Sequence, residues 1–366
     1  MTWSAEVGAI RVHAGPGALG LLGTLARELG GGRVLVVTDR GVRSAGHVDS
    51  ALASLDSIGG IAAEVFDGVA ENPTSLHVEE GRRAAADFGP DLLVGLGGGS
   101  AMDCAKGINF LLTNGGRMED YRGTGRASKP MLPSIGVPTT AGTGSEAQSY
   151  ALISHPETHE KMACGDRKAR FREVILDPRL AASAPRKVAA TAGIDAVSHA
   201  VESHVTSRGN AVSRMLSREA WRLLSASLET SLDSPEDLGS VGDTLLGAHL
   251  AGAAIEASML GAAHACANPL TARFGIVHGV AVGLMLPHVV RFNGEERYQE
   301  LFAGELASRI EELRAAAGLP ERLRDCGVDA GSLPLLAEEA SRQWTAGFNP
   351  RPVDAAALLS LYEAAF

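Results

Sequence analysis

Asp91-Leu-Leu-Val-Gly-Leu-Gly97-Gly98-Gly99-Ser100 is the stretch on which the reading of the fold turns. Its apolar run is of the buried-strand type, three glycines end it, and an Ala- and Leu-rich segment of helical character follows over residues 101–112. Glycines at a strand-to-helix junction let the backbone approach a pyrophosphate, and the first free N–H groups of the helix point at its negative charge. The spacing is not G-x-G-x-x-G, so this is not an ordinary Rossmann fingerprint, and a ligand-free tight turn is the plain alternative for such a junction taken alone.

The same alternation extends outward from this turn. Residues 33–38, 61–66 and 134–137 read as further strands, and residues 41–55 and 75–87 as helices, which together predict an α/β domain with a parallel sheet over residues 1–182. Past Asp177-Pro178 the strand signal fades. Segments 187–205, 211–232, 243–265, 279–292 and 300–317 are of bundle-helix length, so an all-α domain is expected over residues 183–366. Two domains also suit a chain of 366 residues, which exceeds what one hydrophobic core serves.

Bulk properties exclude several classes of function. A net charge of -10 without a basic run argues against nucleic acid as a partner. No run reaches the ~18 apolar residues of a membrane helix, and the first residues lack the pattern of a secretory signal. Four scattered cysteines, Cys104, Cys164, Cys266 and Cys326, suggest neither a disulfide framework nor a thiolate metal site, so a reduced, cytoplasmic location is expected.

Three places carry chemistry besides the glycine turn. Pro138-Thr-Thr-Ala-Gly-Thr-Gly-Ser-Glu146 is a second polar glycine loop whose amides and hydroxyls suit phosphate or ribose, and two such loops favour a dinucleotide. Asp39 closes the first strand of the alternating set, where a carboxylate accepts from ribose hydroxyls and repels a 2′-phosphate, so NAD(H) is expected over NADP(H). Lastly, Asp195 and His199 are spaced to share a helix face, and His264 and His278 fall on consecutive helical segments that could each present an imidazole to the same centre. Such a set suits Fe²⁺ or Zn²⁺, whereas Mg²⁺ or Ca²⁺ would want more oxygen ligands. A hydrogen-bonded interior histidine is the bland alternative for each alone. The other eight (His13, His47, His77, His155, His159, His204, His249, His288) read as surface or packing residues.

The order Gly97-Gly-Gly-Ser-x-x-Asp-x-x-Lys106, the Pro138–Glu146 loop, Gly193-Ile-Asp-Ala-Val-Ser-His-Ala-Val-Glu202, His264 and His278-Gly-Val-Ala-Val-Gly-Leu-Met-Leu-Pro-His288 resembles the iron-containing, group III alcohol dehydrogenases over essentially the whole chain. That resemblance implies a dehydroquinate synthase-like architecture, a cleft between the two domains, and hydride transfer between a nicotinamide and a small alcohol or aldehyde. It implies metal ligation by Asp195, His199, His264 and His278, with Fe²⁺ the first expectation and Zn²⁺ the second. Cofactor contacts are implied for Asp39, Asn72, Gly97, Gly98, Gly99, Ser100, Asp103, Thr139, Thr140, Thr143 and Lys161, and a homodimer for the assembly.

Three positions depart from the family pattern. Asn268 stands where relatives carry a further histidine proposed for proton handling, and an amide cannot titrate. Ile255 replaces a common Phe, and Arg273 a common aromatic residue. An inward Arg273 would clamp a carboxylate or phosphonate, which leads to the expectation of an anionic aldehyde such as phosphonoacetaldehyde; a surface arginine is the alternative. Competing functions are a dehydroquinate synthase-type lyase or cyclase, and a metal- and nucleotide-binding regulatory protein that has lost catalysis.

Overall fold

The computed structural model describes residues 2–158 and 160–366; His159 lies outside the described residues. Its strands are β1 (Trp3–Val7), β2 (Ile10–Ala14), β3 (Arg33–Val37), β4 (Ala62–Phe66), β5 (Leu92–Gly97), β6 (Gly123–Thr124), β7 (Ser134–Pro138), β8 (Tyr150–Ser154), β9 (Lys161–Gly165) and β10 (Glu173–Leu176). Seven form one sheet in the order β1-β2-β10-β7-β5-β3-β4, parallel throughout except where β1 pairs antiparallel with β2. β5 lies inside the sheet between β7 and β3 and is buried at every position, as its unbroken apolar run requires of a strand covered on both faces. Leu22, Val34, Val36, Leu55, Val94 and Ile135 pack the core on one face of this sheet.

The remaining strands, β6, β9 and β8, make a small second sheet. The β1–β2 hairpin, the β8–β9 hairpin and β10 were not expected from the sequence. β1 is exposed along most of its length and β10 is only four residues long, so neither carries much apolar periodicity. The helix expected over residues 41–55 is divided by Gly46, whose φ of 81° is left-handed, into Arg40–Ser44 and His47–Asp56.

Two compact units result: the chain up to Thr140 together with Ser145–Ala184, and Ala141–Gly144 together with Pro185–Phe366. The short segment Ala141–Gly144 thus groups with the helices, although its loop follows a strand of the sheet. The second unit is built from Arg186–Val205, Ala211–Asp233, Leu238–Ala257, Ala262–Phe274, His278–Asn293, Leu306–Ala316, Leu333–Ser341 and Ala355–Ala365. No single helix among the described residues is long and apolar enough to cross a membrane.

Where one helix was expected over residues 243–265, the chain ends a helix at Ala257 and starts another at Ala262, turned by 106°. The break is at Gly261, where a Cβ would lie 3.0 Å from both Asn349 Oδ1 and Glu202 Oε1. Asn349 Oδ1 and Glu202 Oε1 instead accept from the N–H groups of Ala262 and Ala263, satisfying two of the four orphan donors at the new N-terminus. Pro269 lies inside this second helix; the chain turns at Gly275, in the left-handed conformation that ends helices. The segment expected over residues 300–317 narrows to Leu306–Ala316, preceded by a 3₁₀ turn at Glu295–Tyr298.

Packing of His278–Asn293 on Arg186–Val205 depends on Gly279. A Cβ there would lie 2.0 Å from the Thr191 carbonyl oxygen, so the two backbones meet directly, one residue from His278. Gly279→Ala is expected to cost roughly 1–3 kcal/mol by overpacking and to weaken metal retention by moving His278. Denaturant melts and metal content after dialysis check both effects.

Candidate metal and cofactor sites

Asp195 and His199 project from the same face of Arg186–Val205, four residues and about 6 Å of rise apart. His264, from the first turn of Ala262–Phe274, completes a buried group whose ligand atoms all lie within 4.8 Å of one another. Asp195 Oδ1 is 3.4 Å from His199 Nε2 and 3.7 Å from His264 Nε2. Those separations are long for hydrogen bonds, but tetrahedral donors at metal-bond length stand about 3.4 Å apart. His278 adjoins them, its ring 5.3 Å from that of His264, while the His199 and His264 rings stack at 4.9 Å. Asp195 Oδ1, His199 Nδ1 and His264 Nε2 are buried without hydrogen-bond partners. Asp195 Oδ1 and His264 Nε2 face one another with His199 Nε2 beside them, an arrangement of unsatisfied lone pairs that suits a cation.

Charge leads to the same conclusion. Glu202, one helical turn beyond His199 and buried, accepts from the Ala263 N–H at 2.7 Å and binds His264 Nδ1 at 2.5 Å. It fixes the ring so that Nε2 faces Asp195, the carboxylate–histidine arrangement that orients metal ligands. Two buried carboxylates, Asp195 and Glu202, therefore lie among these imidazoles, an excess of negative charge that a divalent ion would balance. Burial opposes the Asp195 charge, but His199 and the other two imidazoles outweigh it and hold the carboxyl well below the usual range. Burial lowers the affinity of His199 for a proton. It would do the same for His264, but Glu202 and Asp195 on either side raise that ring to about 9. A proton on His264 thus stands in for part of the cation's charge.

The polar loop after β7 divides its work. Gly144 adopts φ 61°, and a Cβ there would lie 2.5 Å from Gly252 Cα; one at Gly142 would lie 2.6 Å from Ala192 Cβ. These glycines let the backbone seat against the helices Leu238–Ala257 and Arg186–Val205, and the Gly142 peptide also biases the His199 ring toward its charged form. Thr143 belongs to this segment and hence to the second unit.

In the first unit, Asp39, Gly97, Gly98, Gly99, Ser100, Thr139 and Thr140 gather at the carboxyl ends of β3, β5 and β7, the edge at which open parallel sheets receive ligands. Gly99 and Ser100 begin the helix Gly99–Asn114, and a Cβ on Gly98 would lie 3.3 Å from Thr140 Oγ1, so the two loops touch. Asp39 Oδ1 caps the helix Arg40–Ser44 through the Val42 N–H. Asn72 lies beyond β4, exposed and in the left-handed region (φ 50°), and Lys161 opens β9. Asp103 faces inward: burial raises its pKa against the pull of Lys106, Ser145 and the Leu152 N–H. Lys106 Nζ, fully buried, lies 3.6 Å from Asp103 and donates to the carbonyls of Ser145 and Tyr150 at 2.6 Å each. This pair ties the helix behind the glycine turn to the far end of the second loop.

Of the departing residues, Ile255 is buried in Leu238–Ala257. Arg273 is exposed and held bidentately by Glu339, which neutralises it at the surface. Asn268 donates from Nδ2 to Gln343 Oε1 at 3.0 Å. Glu202, Gln343, Glu339 and Asn349 were not singled out for these contacts. For Glu202 the signal existed, since it follows Asp195 by seven residues on the same helix face. Nothing in the local pattern marks Gln343, which sits 75 residues from its partner.

Glu202→Gln is expected to loosen divalent metal binding about 10–100-fold while leaving the fold intact, read by chelator competition. Because the His264 proton must leave as metal enters, affinity should weaken as pH falls below about 9. Calorimetry in buffers of different ionisation enthalpy counts that proton.

Comparison with known proteins matches residues 9–178 to the family described as iron-containing alcohol dehydrogenase, and residues 189–366 to its C-terminal domain. The 1,3-propanediol dehydrogenase of Citrobacter freundii is 32% identical over 96% of both chains. A crystal structure of a 1,3-propanediol oxidoreductase superposes with TM-score 0.93 at 30% identity, covering 100% of each chain. The sulfoacetaldehyde reductase of Bifidobacterium kashiwanohense, solved with NAD⁺, superposes with TM-score 0.89 at 25% identity over 100% of this chain and 98% of that one.

Proposed function

The chain belongs to the iron-containing alcohol dehydrogenase family and is an alcohol dehydrogenase or aldehyde reductase using NAD and a metal ion; we propose that it works with NAD(H) and Fe²⁺ on a small, uncharged aldehyde or alcohol. The observation that carries the metal assignment is the buried cluster of Asp195, His199 and His264, whose ligand atoms lie within 4.8 Å of one another with Asp195 Oδ1 and His264 Nε2 unpartnered, beside His278. When bound by these four side chains, the ion supplies a Lewis acid for the substrate oxygen, and the nicotinamide carries the hydride. Asp195 contributes the negative charge, the three imidazoles contribute neutral donors, and Glu202 keeps His264 turned toward the site. Zn²⁺ would satisfy the same donors, so reconstitution decides between the two.

For the cofactor, the reading assigns the pyrophosphate to the amides of Gly97, Gly98, Gly99 and Ser100, with Thr139, Thr140 and Thr143 hydrogen-bonding alongside. Asp39 takes the adenosine ribose and disfavours a 2′-phosphate, while Asn72 and Lys161 complete the set. Asp103 supports the turn from behind through Lys106. At Asn268 no proton can be held or released, so proton exchange in this reading runs through water or a ribose hydroxyl. The four cysteines, none in a disulfide, favour the reducing cytoplasm. A homodimer is the proposed assembly, the open edge at β1 offering backbone groups for pairing.

A neutral substrate is preferred because the Arg273 guanidinium is exposed and already paired with Glu339. The anionic alternative, phosphonoacetaldehyde, draws support from the sulfoacetaldehyde reductase relative. Anaerobic removal and return of Fe²⁺ or Zn²⁺, followed by NADH oxidation with neutral and anionic aldehydes, tests the whole reading. The stripped enzyme should be inactive and the reloaded one should consume NADH stoichiometrically with aldehyde, which a lyase or cyclase would not do. Inactivity with every pairing would favour a non-catalytic regulatory protein.

Arg273→Ala should lower kcat/KM equally for propanal and phosphonoacetaldehyde, whereas a selective loss with the anion would restore the clamp. Asp39→Gly should improve NADPH relative to NADH by roughly tenfold, the relief of one like-charge contact. Asn268→His should leave the pH-rate profile unchanged unless this position takes part in a relay.

A further inference from the structure

Arg314, in the last turn of Leu306–Ala316, is a cation buried without a counter-ion. It keeps only 7% of its surface, its Nε is sealed from solvent without a hydrogen-bond partner, and its side chain pairs with no described residue. An arginine does not give up its proton, so the charge has to be balanced where it sits. Nothing around it does so fully. Glu311, one turn earlier, gives both carboxylate oxygens to Arg291 of His278–Asn293, at 2.6 and 2.8 Å. Glu321 attracts the guanidinium from beyond the helix, but it is exposed and makes no ion pair with it. The carbonyl end of Leu306–Ala316 offers about half a negative charge, and Arg186 already draws on it through the carbonyls of Ala316 and Ala317. Arg309 on the same helix, by contrast, is met by Glu229 and Glu312. His288, half-buried one turn before Arg291, also faces this cluster; burial and the guanidiniums of Arg291 and Arg314, with Glu311 opposing, hold its imidazole below the ordinary value and therefore neutral.

We propose that Arg314, with His288 and Arg291 beside it, is a binding site for a phosphate group on the helical unit, ten residues and about 15 Å of helix from His278. Arg291 and Glu311 cancel, so Arg314 is the charge left over, and an anion neutralises the cluster. A guanidinium fork presents two parallel N–H groups to two oxygens of an oxyanion, and the His288 ring adds one N–H without adding a charge. Three donors suit the three oxygens of a phosphate group, whereas a carboxylate spends both of its oxygens on the fork. The surrounding groups lie at the surface: the side chains of Arg291 and Glu311 are 44% and 34% exposed, so a solute reaches this side of the helix pair. Once bound, the anion ties the last turn of Leu306–Ala316 to the helix that carries His278, which couples phosphate to the stability of the helical unit. The site does not depend on the dehydrogenase reading.

The test is a calorimetric titration of the full chain with inorganic phosphate, alongside thermal melts in phosphate, acetate and chloride at equal ionic strength. Wild type should bind one more phosphate per chain than Arg314→Met, which keeps the apolar stem and removes the charge. Phosphate taken up at the glycine turn or at a metal is common to both proteins and cancels in that difference. Saturating phosphate should raise the wild-type Tm by about 2–5 °C over chloride, acetate should do less, and Arg314→Met should lose that increment. Arg314→Lys, which keeps the charge without the fork, should bind about tenfold more weakly, and it carries the comparison should Arg314→Met fail to fold. Glu321→Gln should tighten phosphate binding, since it removes a competing carboxylate. Equal stoichiometry in wild type and Arg314→Met, or equal stabilisation by chloride, overturns the proposal. So does phosphate binding that appears only in Glu321→Gln, which would make Glu321 the counter-ion. A titration with glycerol 3-phosphate then separates the sources: uptake at the same site extends it to phosphate monoesters, and no uptake confines it to the free ion.

Discussion

Two carboxylates buried seven residues apart on one helix, Asp195 and Glu202, are the constraint around which the helical unit is arranged. Removing one carboxylate from water without compensation is expensive, and removing two side by side more so. Glu202 is compensated from the Ala262–Phe274 helix, by the Ala263 N–H and by His264. This places a negative charge at a helix N-terminus, where the helix dipole favours it. Asp195 has only imidazoles before it, at distances too long for good hydrogen bonds. Its compensation has to come from a cation that all of them can share.

Several features that look unrelated serve that arrangement. The turn at Gly261 exists because Glu202 and Asn349 occupy the space a side chain would need, and the same two residues cap the helix that delivers His264. Asn349 is held in turn by Asn293 at the end of the His278 helix, so the histidine-bearing helices are braced through one buried amide pair. Gly279 sets how close His278 can come. The candidate ligands are therefore fixed by backbone contacts and buried hydrogen bonds, which is the rigidity that metal sites require.

The sequence made legible whatever was local and periodic. The strand-glycine-helix unit at Leu92–Asn114, the alternating layers around it and the i, i+4 pair Asp195 and His199 all follow from spacing within one element. Elements without a strong period, such as the exposed β1 and the short β10, were missed. The break at Gly261 was missed for a different reason: its cause is a carboxylate 59 residues upstream and an amide 88 residues downstream in the sequence. Asp103 illustrates a third limit. Its place in a glycine-rich motif suggests a ligand contact, while its burial beside Lys106, which reaches the second loop, depends on residues that local spacing does not mark. The second glycine loop likewise reads as an anion cradle, yet Gly142 and Gly144 are required first by close backbone packing.

Asn268 shows how one substitution alters the physics of a site without disturbing its frame. An imidazole one turn beyond His264 would add a group that can take or give a proton near neutrality, and would compete with His264 and His199 for the charge of Asp195. An amide cannot titrate, so under the proposed reading the negative charge of Asp195 and Glu202 would face the metal without that competition. It also exchanges a proton carrier for a directional hydrogen-bonding group, fixed in orientation by Gln343.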